Sequence, residues 1–429
     1  MSNRITRSMK TRNKINYLDL LSSFEEDYDS ESDEEWVSDC DSDISISENK
    51  KVDAELKKQF KELEEQIETL SSTENLPLKY SLINKPWNIK TKAFALNKIK
   101  LLENIDKTSS DFYKQNEYIN NLFKIPFGEI KPFSLNGKEP HEFLKWSHEQ
   151  LDKSIYGHEK CKTQIIEIIA QWIVKHESVN QPIGFVGPPG IGKTTIIREG
   201  FSQIVDRPFG YITLGGSSDS SYLDGHSFTY EGSQYGRIVD ILIQSNCMNP
   251  IIYFDELDKI SDTPKGEEIT NLLIHLIDTS QNTTFQDKYF SGLDIDLSKC
   301  LFVFSYNDKN KVNPILLNRI KEVEMDDFCL KDKKIIAHDY LLPDILSNFN
   351  MTLNDINLSE KTIEYIINNY VPRDETGMRK IKQILTDIVS KINVQTLLDG
   401  GKKTKKIKLD ANGRVNITKK IVKEFLHSN

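Results

Sequence analysis

The sequence predicts an α/β fold, a parallel sheet with helices on both faces, joined to a helical amino-terminal region and a helical lid. Three observations carry that prediction. Gly187-Pro188-Pro189-Gly190-Ile191-Gly192-Lys193-Thr194 fits the pattern G-x-x-x-x-G-K-[ST] at every fixed position, directly after the apolar run Ile183 to Val186. A second run, Ile251-Ile252-Tyr253-Phe254, closes on Asp255-Glu256, and such an unbroken apolar stretch suits a strand buried on both faces. Further short runs, Phe209 to Leu214, Cys300 to Ser305 and Glu322 to Met325, alternate with helical stretches as in a parallel sheet.

The first motif has a direct chemical reading. Its glycines let backbone N–H groups turn inward around a phosphate with no Cβ in the way, and the helix from roughly Lys193 to Val205 points its positive end at the same anion. Gly187 to Thr195 would then cradle a nucleoside triphosphate, Lys193 would meet its β and γ phosphates, and Thr194 would hold Mg²⁺. Asp255 would bind Mg²⁺ through water while Glu256 polarises the attacking water, so adjacent carboxylates take separate tasks. The competing readings are a chance glycine turn and an Asp-Glu helix cap. Neither explains both motifs in one chain.

Composition narrows the class. A chain of 429 residues can hold two or three domains and a large core. The net charge of −9 is concentrated in residues 21 to 50, where 12 acids face one Lys, which leaves the rest of the chain at about +2. Cys40, Cys161, Cys247, Cys300 and Cys329 lie far apart, with no C-x-x-C pair, which suits reduced thiols in a cytoplasmic or nuclear compartment and argues against structural zinc. No apolar run reaches membrane-spanning length. The basic start (Arg4, Arg7, Lys10, Arg12, Lys14) is also compatible with organelle import, although solvated tails look the same.

The flanks divide the chain further. Residues 1–50 read as a disordered tail, basic then acidic, in which Ser30 and Ser32 suit an acidophilic kinase. Residues 51–150 read as a helical region and linker. There Val52, Leu56, Phe60, Leu63, Ile67 and Leu70 form a helical stripe that would pack on its own domain or on a partner. The nucleotide-binding domain is expected over 151–328 and a helical lid over 329–398. Residues 399–429 would hold a hairpin around Asn412-Gly413 and a short helix.

The motifs, taken in order, resemble the ATPase module of Lon proteases, a branch of the AAA+ superfamily, from about residue 55 onward. Ile155-Tyr156-Gly157-His158-Glu159 is similar to the family's adenine-side motif, which brings Tyr156 and Gly157 to the nucleotide. Leu214-Gly215-Gly216, Gly225-His226, Thr229-Tyr230 and Gly232-Ser233 follow in the family's order, as do Gln281-Asn282, Phe285 and Asp287. Ser305-Tyr306-Asn307 resembles sensor 1, Leu316-Leu317-Asn318-Arg319 the arginine-finger segment, and Glu375-Thr376-Gly377-Met378-Arg379 the start of the sensor-2 helix.

That resemblance implies roles. Asn307 would orient the attacking water, Arg319 would reach the nucleotide of a neighbouring subunit, and Arg379 would contact it from the lid. A trans arginine requires a ring of copies, a hexamer in this family. Tyr230 matches the aromatic residue that grips a polypeptide in the central pore, whereas the next position, apolar in the family, is Glu231, which would favour basic substrates unless it points away from the pore. The family's Ser-Lys proteolytic domain would follow the carboxyl-terminal phrase Val415 to Leu426, so peptidase activity is not expected from these residues.

The sequence therefore points to a ring-forming ATPase that threads or remodels polypeptides, with ATP and Mg²⁺ as its cofactors. An alternative is a nucleotide-dependent scaffold or adaptor ring, with a separate protease as a potential partner. A nucleic-acid motor would use the basic cluster Lys402, Lys403, Lys405, Lys406 and Lys408, but the near-neutral core and the absence of a base-reading motif argue against it.

Overall fold

A computed structural model describes residues 78–175, 181–216, 219–230, 232–373, 375–398 and 414–426. The acidic tail, Ser30 and Ser32, the stripe from Val52 to Leu70, Glu231 and the basic cluster from Lys402 to Lys408 lie outside the described residues. Five strands form one sheet: β1 (Ile183–Val186), β2 (Phe209–Thr213), β3 (Ile251–Asp255), β4 (Leu301–Tyr306) and β5 (Lys321–Glu324). Their order is β2-β3-β4-β1-β5, and every pairing is parallel. The strand order follows burial. β4 is buried at all six positions, whereas β2 and β5, at the edges, carry exposed side chains.

Alternation along each strand divides the core in two. Ile251 and Tyr253 face one cluster with Phe185, Val303, Ile169 and Trp172, while Ile252 and Phe254 face the other with Phe302, Phe304, Ile238 and Leu273. That is why β3 is apolar at four consecutive positions. The first face carries the helices Pro140–Ser154, Glu159–Val174 and the one beginning at Lys193, together with the lid. The second carries the helices Ile89–Glu103 and Ser110–Lys124 of the amino-terminal region, capped by the side chains of Asn88 and Ser109. Pro140–Ser154 crosses residue 151, and its Phe143 and Leu151 belong to the sheet's own core, so that helix packs as part of the α/β body.

The helix after the phosphate loop is not uniform. Lys193–Thr195 and Ser202–Ile204 are α-helical, but Ile196–Phe201 between them is a π segment, and the Ser202 N–H reaches back to the Ile197 carbonyl. The lid helix starting at Leu330 has the same interruption at Ile336–Leu341. In the carboxyl-terminal part, β7 (Val415–Ile417) pairs in parallel with β6 (Ile356–Leu358), a strand the sequence reading did not include. The other arm of the expected hairpin lies outside the described residues. Among the described residues no helix is long and apolar enough to cross a membrane.

Candidate active site

The carboxyl ends of β1, β3 and β4 share one edge of the sheet, and there the chain gathers its polar side chains. Gly190 and Gly192 have φ of +77° and +95°, a conformation costly for any residue with a Cβ. A Cβ on Gly192 would stand 2.4 Å from Ile155 Cδ1. The loop is thus closed on one side by the segment of Tyr156 and Gly157. His158 completes the contact, with Nε2 3.1 Å from the Ile191 carbonyl and its ring 4.7 Å from Phe328. Tyr156 itself lies half-buried at 6.1 Å from the Tyr340 ring of the lid.

Lys193 is the buried cation of the site. Its Nζ lies 2.5 Å from the Gly187 carbonyl, 3.2 Å from Pro188 O, 3.3 Å from Tyr306 O and 2.5 Å from Asn307 Oδ1. Burial lowers its pKa to about 8, while the nearby Asp255 and Asp258 act in the opposite direction. Lys193 and Asn307, distant in sequence, are therefore brought into direct contact.

Asp255 is fixed by three donors. Ser305 Oγ donates to its Oδ1, the Glu256 N–H reaches the same oxygen at 3.1 Å, and the Tyr211 hydroxyl donates to Oδ2 at 2.8 Å. Tyr253, two residues earlier on β3, places its hydroxyl 3.2 Å from Thr194 Oγ1. Its ring stacks on Tyr211 with centroids 6.0 Å apart. Thr194 and Asp255, both hard oxygen donors, thus each meet the hydroxyl of one of two stacked tyrosines.

Glu256 adopts a left-handed backbone, φ +61° and ψ 45°, sparsely populated for a non-glycine residue. Its carboxylate pairs with Lys259 and packs against Gly215, where a Cβ would stand 2.0 Å from Oε2. Gly215 leaves the space that Glu256 fills.

The lid meets the loop through backbone. A Cβ on Gly377 would lie 2.1 Å from the Pro189 carbonyl, the Met378 N–H donates to Gly190 O at 2.9 Å, and Gly190 faces the backbone of Arg379. Arg379 accordingly stands beside the cradle at the start of its helix. Arg319 does not join this group. Within the chain it pairs with Asp278 at 2.6 Å and reaches the Ile274 carbonyl at 3.5 Å, at the surface.

Tyr230 also stands apart, 68% exposed on the loop between Gly225 and Gly236. Lys114, from the helix Ser110–Lys124, lies 3.2 Å from the Tyr230 carbonyl and 3.4 Å from that of Thr229. Its ammonium also sits 5.0 Å from the Phe228 ring centre.

Known proteins share this arrangement in sequence. The model of the ATPase family associated with various cellular activities matches residues 183–326. A Lon protease homolog of Acanthamoeba polyphaga mimivirus is 38% identical over 323 residues, which is 73% of this chain and 31% of that protein. The Lon protease of Campylobacter concisus is 30% identical over 385 residues, 86% of this chain and 45% of its own length. That of Porphyromonas gingivalis is 29% identical over 359 residues, 81% of this chain and 41% of its own.

Residues 183–326 form an AAA ATPase domain, set in a module similar to that of Lon proteases. The chain spans less than half the length of these relatives. Within the Lon-like module, several residues at the site escaped the sequence reading, namely Tyr211, Lys259 and the hydroxyls of Tyr253 and Ser305. Tyr211 had a signal in principle, as a large polar aromatic on the exposed face of an edge strand. Only the register Tyr211↔Tyr253 shows that it reaches Asp255.

Proposed function

We propose that this module hydrolyses ATP as a subunit of a ring and uses the cycle to thread or remodel polypeptides. The observation that carries the reading is the convergence of Lys193, Thr194, Asp255, Glu256 and Asn307 on one sheet edge. The fit to a triphosphate rests on a loop whose positive φ at Gly190 and Gly192 favours glycine and turns its backbone inward, and on a desolvated ammonium at its base. The fit to Mg²⁺ rests on the hard oxygen donors of Thr194 and Asp255.

In this reading the residues divide the work. Lys193 exchanges its carbonyl partners for β and γ phosphate oxygens and offsets their charge. Thr194 and Asp255 would hold Mg²⁺, which would draw negative charge from the phosphate oxygens. Ser305 and Tyr211 hold the Asp255 carboxylate in one orientation. Glu256, already displaced from ordinary backbone space, accepts a proton from the attacking water, and Asn307 orients that water. Arg379 carries the change to the lid through the joint at Gly377. Arg319, surface-exposed in its own chain, is free to leave Asp278 for a neighbouring copy's γ phosphate, which makes hydrolysis depend on the ring. Tyr230, exposed on its loop, grips the polypeptide.

The test separates the steps. Lys193→Ala should lose ATP binding, whereas Glu256→Gln should bind ATP normally and turn over about a hundredfold more slowly. Casein should raise the ATPase rate, and Tyr230→Ala should abolish that rise while leaving basal hydrolysis alone. Unchanged turnover in Glu256→Gln overturns the catalytic assignment. Stimulation that survives in Tyr230→Ala overturns threading and favours a scaffold ring.

A further inference from the structure

A second cluster of cations lies at the other end of the helix that leaves the phosphate loop. Lys131, Arg198, Ser202, Gln203, Asp206 and Arg207, with Pro208 and Phe209, line an open cavity of about 270 Å³. Ser202 and Gln203 are nine and ten residues beyond Lys193, roughly 14 Å along the helix, so the cavity is separate from the nucleotide cradle.

The three cations of the lining make no ion pair among the described residues. Arg207 stacks on Trp172 with its Cζ 4.5 Å from the ring centre, and Arg198 lies 6.0 Å from that of Phe209. The Asn249 side chain fixes Lys131 by bonding both its backbone N–H, at 2.9 Å, and its carbonyl, at 2.8 Å. Stacking leaves the edge of a guanidinium, where its N–H groups lie, as the part available to a ligand. Arg207 is the telling member. Its Nε and Nη1 are shut off from solvent and make no hydrogen bond, so of its three nitrogens Nη2 is the one left to meet a ligand, and burial lowers its pKa. A guanidinium withdrawn from water without a partner is costly, and an anion at the edge of the delocalised charge would offset that cost. Asp206, the one acid in the lining, is exposed and pairs with none of the three.

We infer that this cavity is an oxyanion site for a phosphoryl dianion. Two guanidinium groups and an ammonium, against the single carboxylate of Asp206, leave two positive charges in the lining, which a doubly charged tetrahedral oxyanion matches better than a carboxylate, since that would leave more of the charge uncompensated. Free phosphate and a phosphate monoester share that chemistry.

Calorimetric titration with inorganic phosphate, against chloride at equal ionic strength, tests the site in the full chain. A saturable event should persist in Lys193→Ala, which disables the nucleotide cradle, and should weaken at least tenfold in Arg198→Gln and in Arg207→Gln. If Arg207→Gln fails to fold, the surface variants Arg198→Gln and Lys131→Gln carry the test. O-phosphoserine in place of phosphate distinguishes the source, tighter binding marking a monoester and weaker binding the free ion. Phosphate affinity unchanged in Arg198→Gln and Lys131→Gln, an event lost in Lys193→Ala, or one reproduced by chloride overturns the inference.

Discussion

The two faces of the sheet attach their helical partners by different means. On one face the lid touches the phosphate loop backbone to backbone, where Gly377 lies against Pro189 and Gly190 with no room for a side chain. On the other, the helix Ser110–Lys124 holds the Tyr230 loop by side chains. Tyr118 meets Phe228 at 4.8 Å, edge to face, and Lys114 reaches over that ring to two carbonyls. A backbone joint fixes distance and allows little substitution. A side-chain joint tolerates adjustment, because rotamers can shift while the loop stays tethered. Under the proposed function, the difference suits a rigid sensor of nucleotide on one face and an adaptable grip on the other.

The strongest way to break this contrast is Gly377→Val. A Cβ there would overlap the Pro189 carbonyl, so the lid must lift from the loop. ATP turnover should fall at least tenfold, with weaker ATP binding and a lower melting temperature. Steady-state kinetics and nucleotide titration check it. Wild-type kinetics in Gly377→Val would show that the joint does not transmit the nucleotide state.

A smaller change sharpens the other side. Lys114→Met keeps the apolar stem but removes the charge from the Phe228 face and from two carbonyls. Because Lys114 is only half-buried, stability should change by no more than about 1 kcal/mol. Basal ATPase should stay within about twofold, since nothing connects Lys114 to the cradle, while stimulation by casein should drop several-fold as the loop loses its tether. Full stimulation in Lys114→Met would mean that the amino-terminal helices do not position Tyr230.

These joints also mark the limit of what the sequence discloses. Strands such as Ile251–Asp255 are legible because burial on both faces leaves an unbroken apolar run, and the loop at Gly187 is legible because its backbone conformation demands glycine. The contact of Gly377 with Gly190 joins residues almost two hundred positions apart, and no local pattern announces it. Pairing of Ile356–Leu358 with Val415–Ile417 is hidden for the same reason, each strand being only three residues long. The bond from Tyr211 to Asp255 depends on sheet register, and the π segment at Ile196–Phe201 on packing against the core. Arg319 was legible as a motif, but its pairing with Asp278 was not.

The subtlest expected effect lies under the Tyr230 loop. Asp287 is fully buried there and accepts the Gly236 N–H through Oδ2 and the Tyr289 N–H through Oδ1, both at 2.8 Å. Asp224 stands close by, with Lys288 3.0 Å from its carboxylate. Burial dominates and raises the pKa of Asp287 from 3.8 to about 7, against the pull of its backbone donors. The folded chain therefore keeps a proton that the unfolded chain has released between pH 3.8 and about 7. Where the folded state holds more protons, stability falls as pH rises, so this contribution is whole below pH 3.8 and is lost by about pH 7. Melting temperatures measured in steps from about pH 5 to pH 8 should decline, and Asp287→Asn, with no proton to lose, should decline less steeply. Asparagine offers one oxygen to two N–H donors, so that variant should also melt lower at every pH, which makes the slope rather than the midpoint the decisive reading. Equal slopes would show that Asp287 is already ionised, held by its backbone donors, and that the base of the Tyr230 loop does not titrate near neutrality.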